Sequence, residues 1–279
     1  EIYQKWQQNL SSEFILGDGK RIKNWSELTA AEQRLFVDKM KKMNIKRGER
    51  GINKEVISEY KIGYAKDNFS SLHKYLLDKG ILNEDILLAG LIIKSEKKKN
   101  SYYDRYRDRI IFPISNKFGK IVGFGGRVIN EDDKPKYMNS PETEIFHKGN
   151  LLYNYSNIKS PNKEIKNLVV VEGYMDAISL CSKGFKNVVA PLGTAMTERQ
   201  LNLIWSLVDS PIICFDGDKA GKNAAERVIE LAVPNLKPGK NIRFINLNDG
   251  LDPDDYVNKN GIKSFFSLAE DSTPLNEQI

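Results

Sequence analysis

Residues 211–233 read PIICFDGDKAGKNAAERVIELAV: a short apolar run, an acidic turn, then a stretch whose apolar positions recur at helical spacing. An apolar run of this length that feeds directly into a helix has the pattern of a strand buried on both faces. The pattern repeats outward on both sides. LVVVE (168–172) leads into YMDAISLCSK (174–183), which Gly184 stops; NVVA (187–190) precedes TERQLNLIWSLV (197–208); and NIRFINL (241–247) adds one more strand. Strands alternating with helices need crossover connections, so the C-terminal half is predicted to be an α/β domain whose mostly parallel sheet is covered on both faces.

Acidic residues follow these apolar runs: Glu172 in VVVEGYMD, Asp216 and Asp218 in IICFDGDKAG, and Asp252, Asp254 and Asp255 in LDPDD. In an open parallel sheet the loops at the carboxyl ends of the strands form the ligand crevice. Carboxylates gathered there repel one another unless a cation lies between them. A single Asp-Gly-Asp is equally a turn and a helix cap. Its repetition at three successive strand ends favours a divalent metal, which takes oxygen ligands and normally arrives with a phosphate-bearing substrate. Gly217 allows the tight turn that points Asp216 and Asp218 the same way.

Upstream the periodicity differs. RIIFPI (109–114) and KIVGFGGRVI (120–129) are β-rich segments joined by a hairpin turn. Short helices are expected between Arg50 and Ile93, punctuated by Gly51, Gly63, Gly80 and Gly90. The run SEKKKNSYYDRYRDR (95–109) reads as a solvated loop in which Arg107 and Arg109 form surface ion pairs with Asp104 and Asp108. To about Met43 the chain reads as helical around the turn-rich LGDGK (16–20), with Thr29 and Glu32 as a capping box and Leu35, Phe36, Met40 and Met43 on one face. The Asn/Ser/Lys-rich stretch 154–167 suggests a boundary, giving domains at 1–160 and 161–279.

The 279 residues are 40% apolar and 29% charged, as in ordinary globular proteins. The net charge of +6 is unevenly distributed: residues 1–150 hold 29 Lys+Arg against 21 Asp+Glu, and residues 151–279 hold 14 against 16. One half suits polyanions and the other suits cations. Cys181 and Cys214 lie inside apolar runs, and no CxxC or Cys/His spacing fits zinc, so two buried thiols in a reducing compartment are expected. No apolar stretch approaches the roughly 20 residues that cross a bilayer. Without a signal-peptide pattern or an initiator Met, the sequence reads as a soluble fragment of a longer protein.

The segments ERGINKEVISEYKIGYA (49–65), DRIIFPISNKFGKIVGFGGRVI (108–129), PKYMNSPETEIFHKGNLLYN (135–154), VVVEGYMDAISL (169–180), LGTAMTERQL (192–201), CFDGDKAGKNAAERV (214–228) and LDPDDYV (251–257) occur in that order. Together they resemble the RNA-polymerase core of bacterial DnaG-type primases, with its TOPRIM fold. The resemblance runs from about residue 49 to residue 276. It implies an N-terminal mixed α+β basic module followed by a TOPRIM-like parallel-sheet α/β domain. The activity it implies is nucleotidyl transfer: metal-dependent, template-directed synthesis of short RNA primers from ribonucleoside triphosphates on single-stranded DNA, leaving an RNA–DNA hybrid.

By position, the resemblance makes Glu172, Asp216 and Asp218 catalytic and, with Asp252 and Asp254, ligands of Mg2+ or Mn2+; Glu172 acts as a ligand or a general acid/base. It places Arg50, Arg127, Lys136, Asn139 and Lys148 at the nucleotide and template, with Ser140 lining the same groove. Members carry a zinc-binding domain before this core and a helical domain after it that contacts the replicative helicase; neither falls within this sequence. A bacterial cytoplasmic replisome is the implied setting, or an organellar stroma or matrix, with no membrane. Two other readings stand beside it, a TOPRIM nuclease or topoisomerase and a non-catalytic nucleotide- or DNA-binding module. The segments at 112–127 and 139–149 speak for primase, and the complete acid set speaks against lapsed catalysis.

Overall fold

The structure, a computed structural model, describes residues 54–130, 132–158, 165–193, 195–248 and 250–278, together with short strands at 14–15 and 21–22. Those two strands, β1 (Phe14–Ile15) and β2 (Arg21–Ile22), pair antiparallel, Phe14 opposite Ile22, in a stretch where helix was expected. The proposed capping box at Thr29 and Glu32 and its helical face lie outside the described residues.

The described residues fall into two compact units. The first, residues 54–114 and 120–146, contains α1 (Lys54–Glu59), β3 (Gly63–Ala65), α2 (Ser71–Asp78), α3 (Asn83–Leu88), β4 (Ile92–Lys94), β5 (Tyr102–Asp104), β6 (Arg109–Ser115, its last residue in the other unit), β7 (Ile121–Val128) and β8 (Tyr137–Asn139). The strands β3, β6, β7 and β8 form a four-stranded sheet in that order. Both β-rich segments expected around the 115–120 hairpin are therefore present.

The charged run 95–109 is more ordered than its composition suggests. Tyr102–Asp104 pairs with Ile92–Lys94, Ile92 opposite Asp104, and the lysines at 97–99 stay exposed beyond the paired strands. Asp104 is 2% exposed. Its carboxylate accepts the backbone N–H groups of Leu72 (2.8 Å) and His73 (2.9 Å), so it caps α2, whose own Ser70 makes no side-chain cap. Burial holds the Asp104 carboxyl above its ordinary value, a rise that the amide donors reduce. Arg107 lies over the rings of Phe69 and Tyr103 (4.6 and 5.2 Å to the centroids). Arg109 is buried and donates to Pro135 O at 2.8 Å. Asp104→Ala orphans two helix donors and is expected to cost about 1–3 kcal/mol in a denaturant melt; a loss below ~0.5 kcal/mol would contradict the cap.

The second unit, residues 115–119 and 147 onward, contains β9 (Leu152–Tyr153), α4 (Tyr155–Ile158), β10 (Val169–Val170), α5 (Tyr174–Ser182), β11 (Val188–Pro191), α6 (Glu198–Trp205), β12 (Ile212–Ile213), α7 (Lys219–Ala232), β13 (Arg243–Phe244), α8 (Pro253–Asn260), α9 (Ile262–Glu270) and β14 (Thr273–Pro274). Its six strands run β14-β13-β12-β10-β11-β9. The four inner strands are parallel, as the alternating pattern requires, and the two edge strands are antiparallel. Val169, Val170, Val188, Val189, Ile212 and Ile213 are all buried, which explains their unbroken hydrophobicity. Leu201, Ile204 and Trp205 of α6 and Val228 and Ala232 of α7 share a core cluster with Val170, Val189 and Ile213. Phe185 and Phe265 meet edge-to-face at 5.2 Å between centroids. Among the described residues no helix is long and apolar enough to cross a membrane.

Candidate active site

Strands β10 and β12 are neighbours, so the residues that follow them meet at one end of the sheet. Glu172 follows β10 and Asp216 follows β12; Glu172 Oε1 accepts the Asp216 N–H at 3.0 Å. Asp218 caps α7, its Oδ1 accepting the Gly221 N–H at 2.9 Å, and it is exposed. The turn and helix-cap reading of Asp-Gly-Asp thus describes Asp218, while its charge still acts on Asp216. Gly217 donates to Leu251 O at 2.8 Å, which ties this turn to the LDPDD loop. There Asp252 caps α8 by accepting the Asp255 N–H at 2.7 Å.

Asp216 is where the charges converge. Burial and the carboxylates of Asp176, Glu172, Asp252 and Asp218 push its pKa up to about 8. Glu172 is also raised, by burial and by Asp218, against the Asp216 amide that lowers it. Asp216 Oδ1 is buried with no hydrogen-bond partner among the described residues. An orphaned oxygen among four like charges fits a hard divalent cation, as does a donor set made wholly of carboxylates. Ligand atoms of Asp252, Asp254 and Asp255 lie within 4.8 Å of one another, and this buried acidic triad likewise suggests divalent metal binding.

Asp176, whose effect on Asp216 is the largest of the four carboxylates, was missed by sequence reasoning. Its signal was available: it lies four residues beyond Glu172, in the first turn of α5. Beside Glu172 opens a cavity of about 270 Å3, walled by Pro191, Met196, Phe215 and Val228 with Arg227 also lining it. Arg227, too, had no role in the sequence reading.

The basic candidates divide between the units. Arg127, on β7, is opposite Tyr137, and Gly125 is opposite Asn139 on β8, so Arg127, Tyr137 and Asn139 share one sheet face. Arg127 is 3% exposed and its guanidinium lies 5.4 Å from the Tyr137 ring centroid. Arg127 Nη1 and Asn139 Oδ1 are both buried without a hydrogen-bond partner among the described residues. Buried polar atoms left without a partner require a water, an ion or a ligand to complete them. Ser140 turns inward: its Oγ accepts the Phe124 N–H at 3.0 Å and lies 3.1 Å from the Tyr106 hydroxyl. Lys136 is half-buried just before β8. Lys148 belongs to the second unit, where Gln200 Nε2 donates to the Lys148 and Leu151 carbonyls, both at 2.9 Å. Arg50 lies outside the described residues.

Residues 32–159 match the family described as DNA primase catalytic core, N-terminal domain, and residues 169–257 match the Toprim-like family. A DNA primase of Pseudomonas aeruginosa is 42% identical over 229 residues, covering 82% of this chain and 34% of that protein. The Escherichia coli primase catalytic core superposes with a TM-score of 0.77 at 36% identity, covering 98% of this chain and 79% of that one. A DnaG primase catalytic domain bound to single-stranded DNA gives 0.75 at 38% identity, covering 87% and 73%. The chain therefore spans about a third of the length of the Pseudomonas relative. With a match to the N-terminal domain of the primase catalytic core, a Toprim-like match after it and more than 30% identity to primases across four fifths of its length, this chain belongs to the DnaG-type DNA primase family, as a catalytic core.

Proposed function

We propose that the chain is the polymerase core of a DNA primase, which joins ribonucleoside triphosphates into short RNA on a single-stranded DNA template. The observation that carries this reading is the convergence of four carboxylates on Asp216 in a member of this family. Glu172, Asp216 and Asp218 would hold Mg2+ or Mn2+, with Asp252 and Asp254 extending the set. The bound cation would neutralise triphosphate charge and activate the attacking hydroxyl. Glu172 would serve either as a ligand of that cation or as the general base that takes up the proton of that hydroxyl. The cavity beside Glu172, with Arg227 lining it, offers phosphate a guanidinium close to the acidic set.

Arg127 and Asn139 would contact nucleotide or template through their orphaned atoms, with Lys136, Lys148 and Arg50 binding phosphate. Support for a DNA template comes from the solved relative bound to single-stranded DNA. Contact with the replicative helicase would be made by a further domain of the whole protein, within a cytoplasmic replisome.

The test is primer synthesis from labelled ribonucleotides on single-stranded DNA with Mg2+ or Mn2+, using Glu172→Ala and Asp216→Ala alongside the unmodified protein. RNA products should appear only with metal and should fall at least ~100-fold in both variants. Shortened DNA without RNA would identify a nuclease, and full synthesis by both variants would overturn the site.

A further inference from the structure

Helix α5 starts directly after Glu172 and Gly173 and carries Asp176 in its first turn. Farther along, Ser179 and the C-cap residue Lys183 reach across to α8. Asp254, in the first turn of α8, is fully buried at 0% exposure. Its Oδ1 accepts the Ser179 hydroxyl and forms an ion pair with Lys183 Nζ. Lys183 Nζ also donates to Asn258 Oδ1 at 2.6 Å, one turn farther along α8. Glu172 and Asp176 therefore lie at the start of α5, and the far end of the same helix grips the Asp252–Asp255 turn. A carboxylate shut away from water needs a cationic or hydrogen-bonding partner, and α5 supplies both.

We propose that Ser179 and Lys183 are positioning residues for the cation site: by holding Asp254 they fix the first turn of α8, with Asp252 and Asp255, at the spacing a divalent cation requires. This rests on the metal reading given above. Groups that orient metal ligands typically alter affinity 10–100-fold when removed, because the ligands must then be ordered by the metal itself. Lys183 acts through Asp254.

Mn2+ binding to the folded protein, read by the EPR signal of free Mn2+, separates this role from simple helix-to-helix packing. Lys183→Met should raise the Mn2+ Kd about 10-fold and Ser179→Ala several-fold, whereas Lys183→Arg should stay within about 3-fold of the unmodified protein. In primer synthesis the Mn2+ concentration at half-maximal rate should move with Kd, and the rate at saturating Mn2+ should return close to the unmodified level. If folded Lys183→Met binds Mn2+ with an unchanged Kd, the proposal is wrong. Should Lys183→Met melt below the assay temperature, Ser179→Ala carries the same two outcomes, since it removes only one hydroxyl. An unmodified protein that binds no Mn2+ would overturn the metal reading itself, a result distinct from failure of the positioning role.

Discussion

Asp216→Asn is expected to make the metal-free protein more stable at pH 8 while abolishing its response to Mg2+ or Mn2+. The cause is the crowd of like charges around a half-buried carboxyl whose pKa is pushed to about 8. In the unfolded chain the same group titrates near 4. Below about pH 4 it is protonated in both states and contributes no penalty. Between about pH 4 and 8 the unfolded chain loses a proton that the folded one keeps, so stability falls as pH rises, by up to ~1.4 kcal/mol per unit. Glu172, also raised, acts in the same direction. Partial solvation reduces the total to roughly 2–4 kcal/mol at pH 8. In EDTA the variant and the unmodified protein should thus melt together near pH 4 and separate with rising pH, the variant higher. Added Mn2+ should raise the melting temperature of the unmodified protein alone, because binding to the folded state stabilises it by mass action. A variant less stable than the unmodified protein at pH 8 in EDTA would show that the carboxylates are not in conflict.

Gly217→Ala should be among the most damaging single-atom additions in the acidic unit. A Cβ there would lie 2.2 Å from Asn248 O and 2.9 Å from Leu247 O, both backbone atoms that no side-chain rotation can move. Gly221 is equally confined, 2.0 Å from Asp216 O. Relief requires separating the Asp-Gly-Asp turn from the 247–251 segment, which also breaks the Gly217 N–H bond to Leu251 O. The expected cost is about 3–5 kcal/mol, a fall of roughly 6–15 °C in melting temperature, together with weaker Mn2+ binding. Gly239→Ala is the control: the site has open space and a φ of +81°, so only backbone strain of about 1–2 kcal/mol applies. If Gly217→Ala melted as high as Gly239→Ala, the close approach of the two loops would be refuted.

Of the four inner strands, β10, β11 and β12 were legible because each is buried on both faces and therefore reads as a continuous apolar run before a helix. The antiparallel edges β9 and β14 stand outside the repeat of apolar strand and crossover helix, and it is pairing with β11 and β13 that makes them strands. Asp104 looked like one more charge in a solvated run because its partners, the Leu72 and His73 amides, lie more than 30 residues away. Ser140 was expected to line a groove with Asn139, yet its hydroxyl faces the core.

From the amino-acid order alone came the alternation that demands a parallel sheet, and hence the gathering of Glu172 and Asp216 at one end of it. That inference needs only local burial and the direction in which a crossover returns the chain. Sequence could not rank the acids. Tertiary structure made Asp216 the focus, gave Asp218 a capping bond, brought in Asp176 and set Asp254 against Ser179 and Lys183. Those differences arise from desolvation and from distances between segments far apart in the chain, and such quantities exist only once the chain has folded.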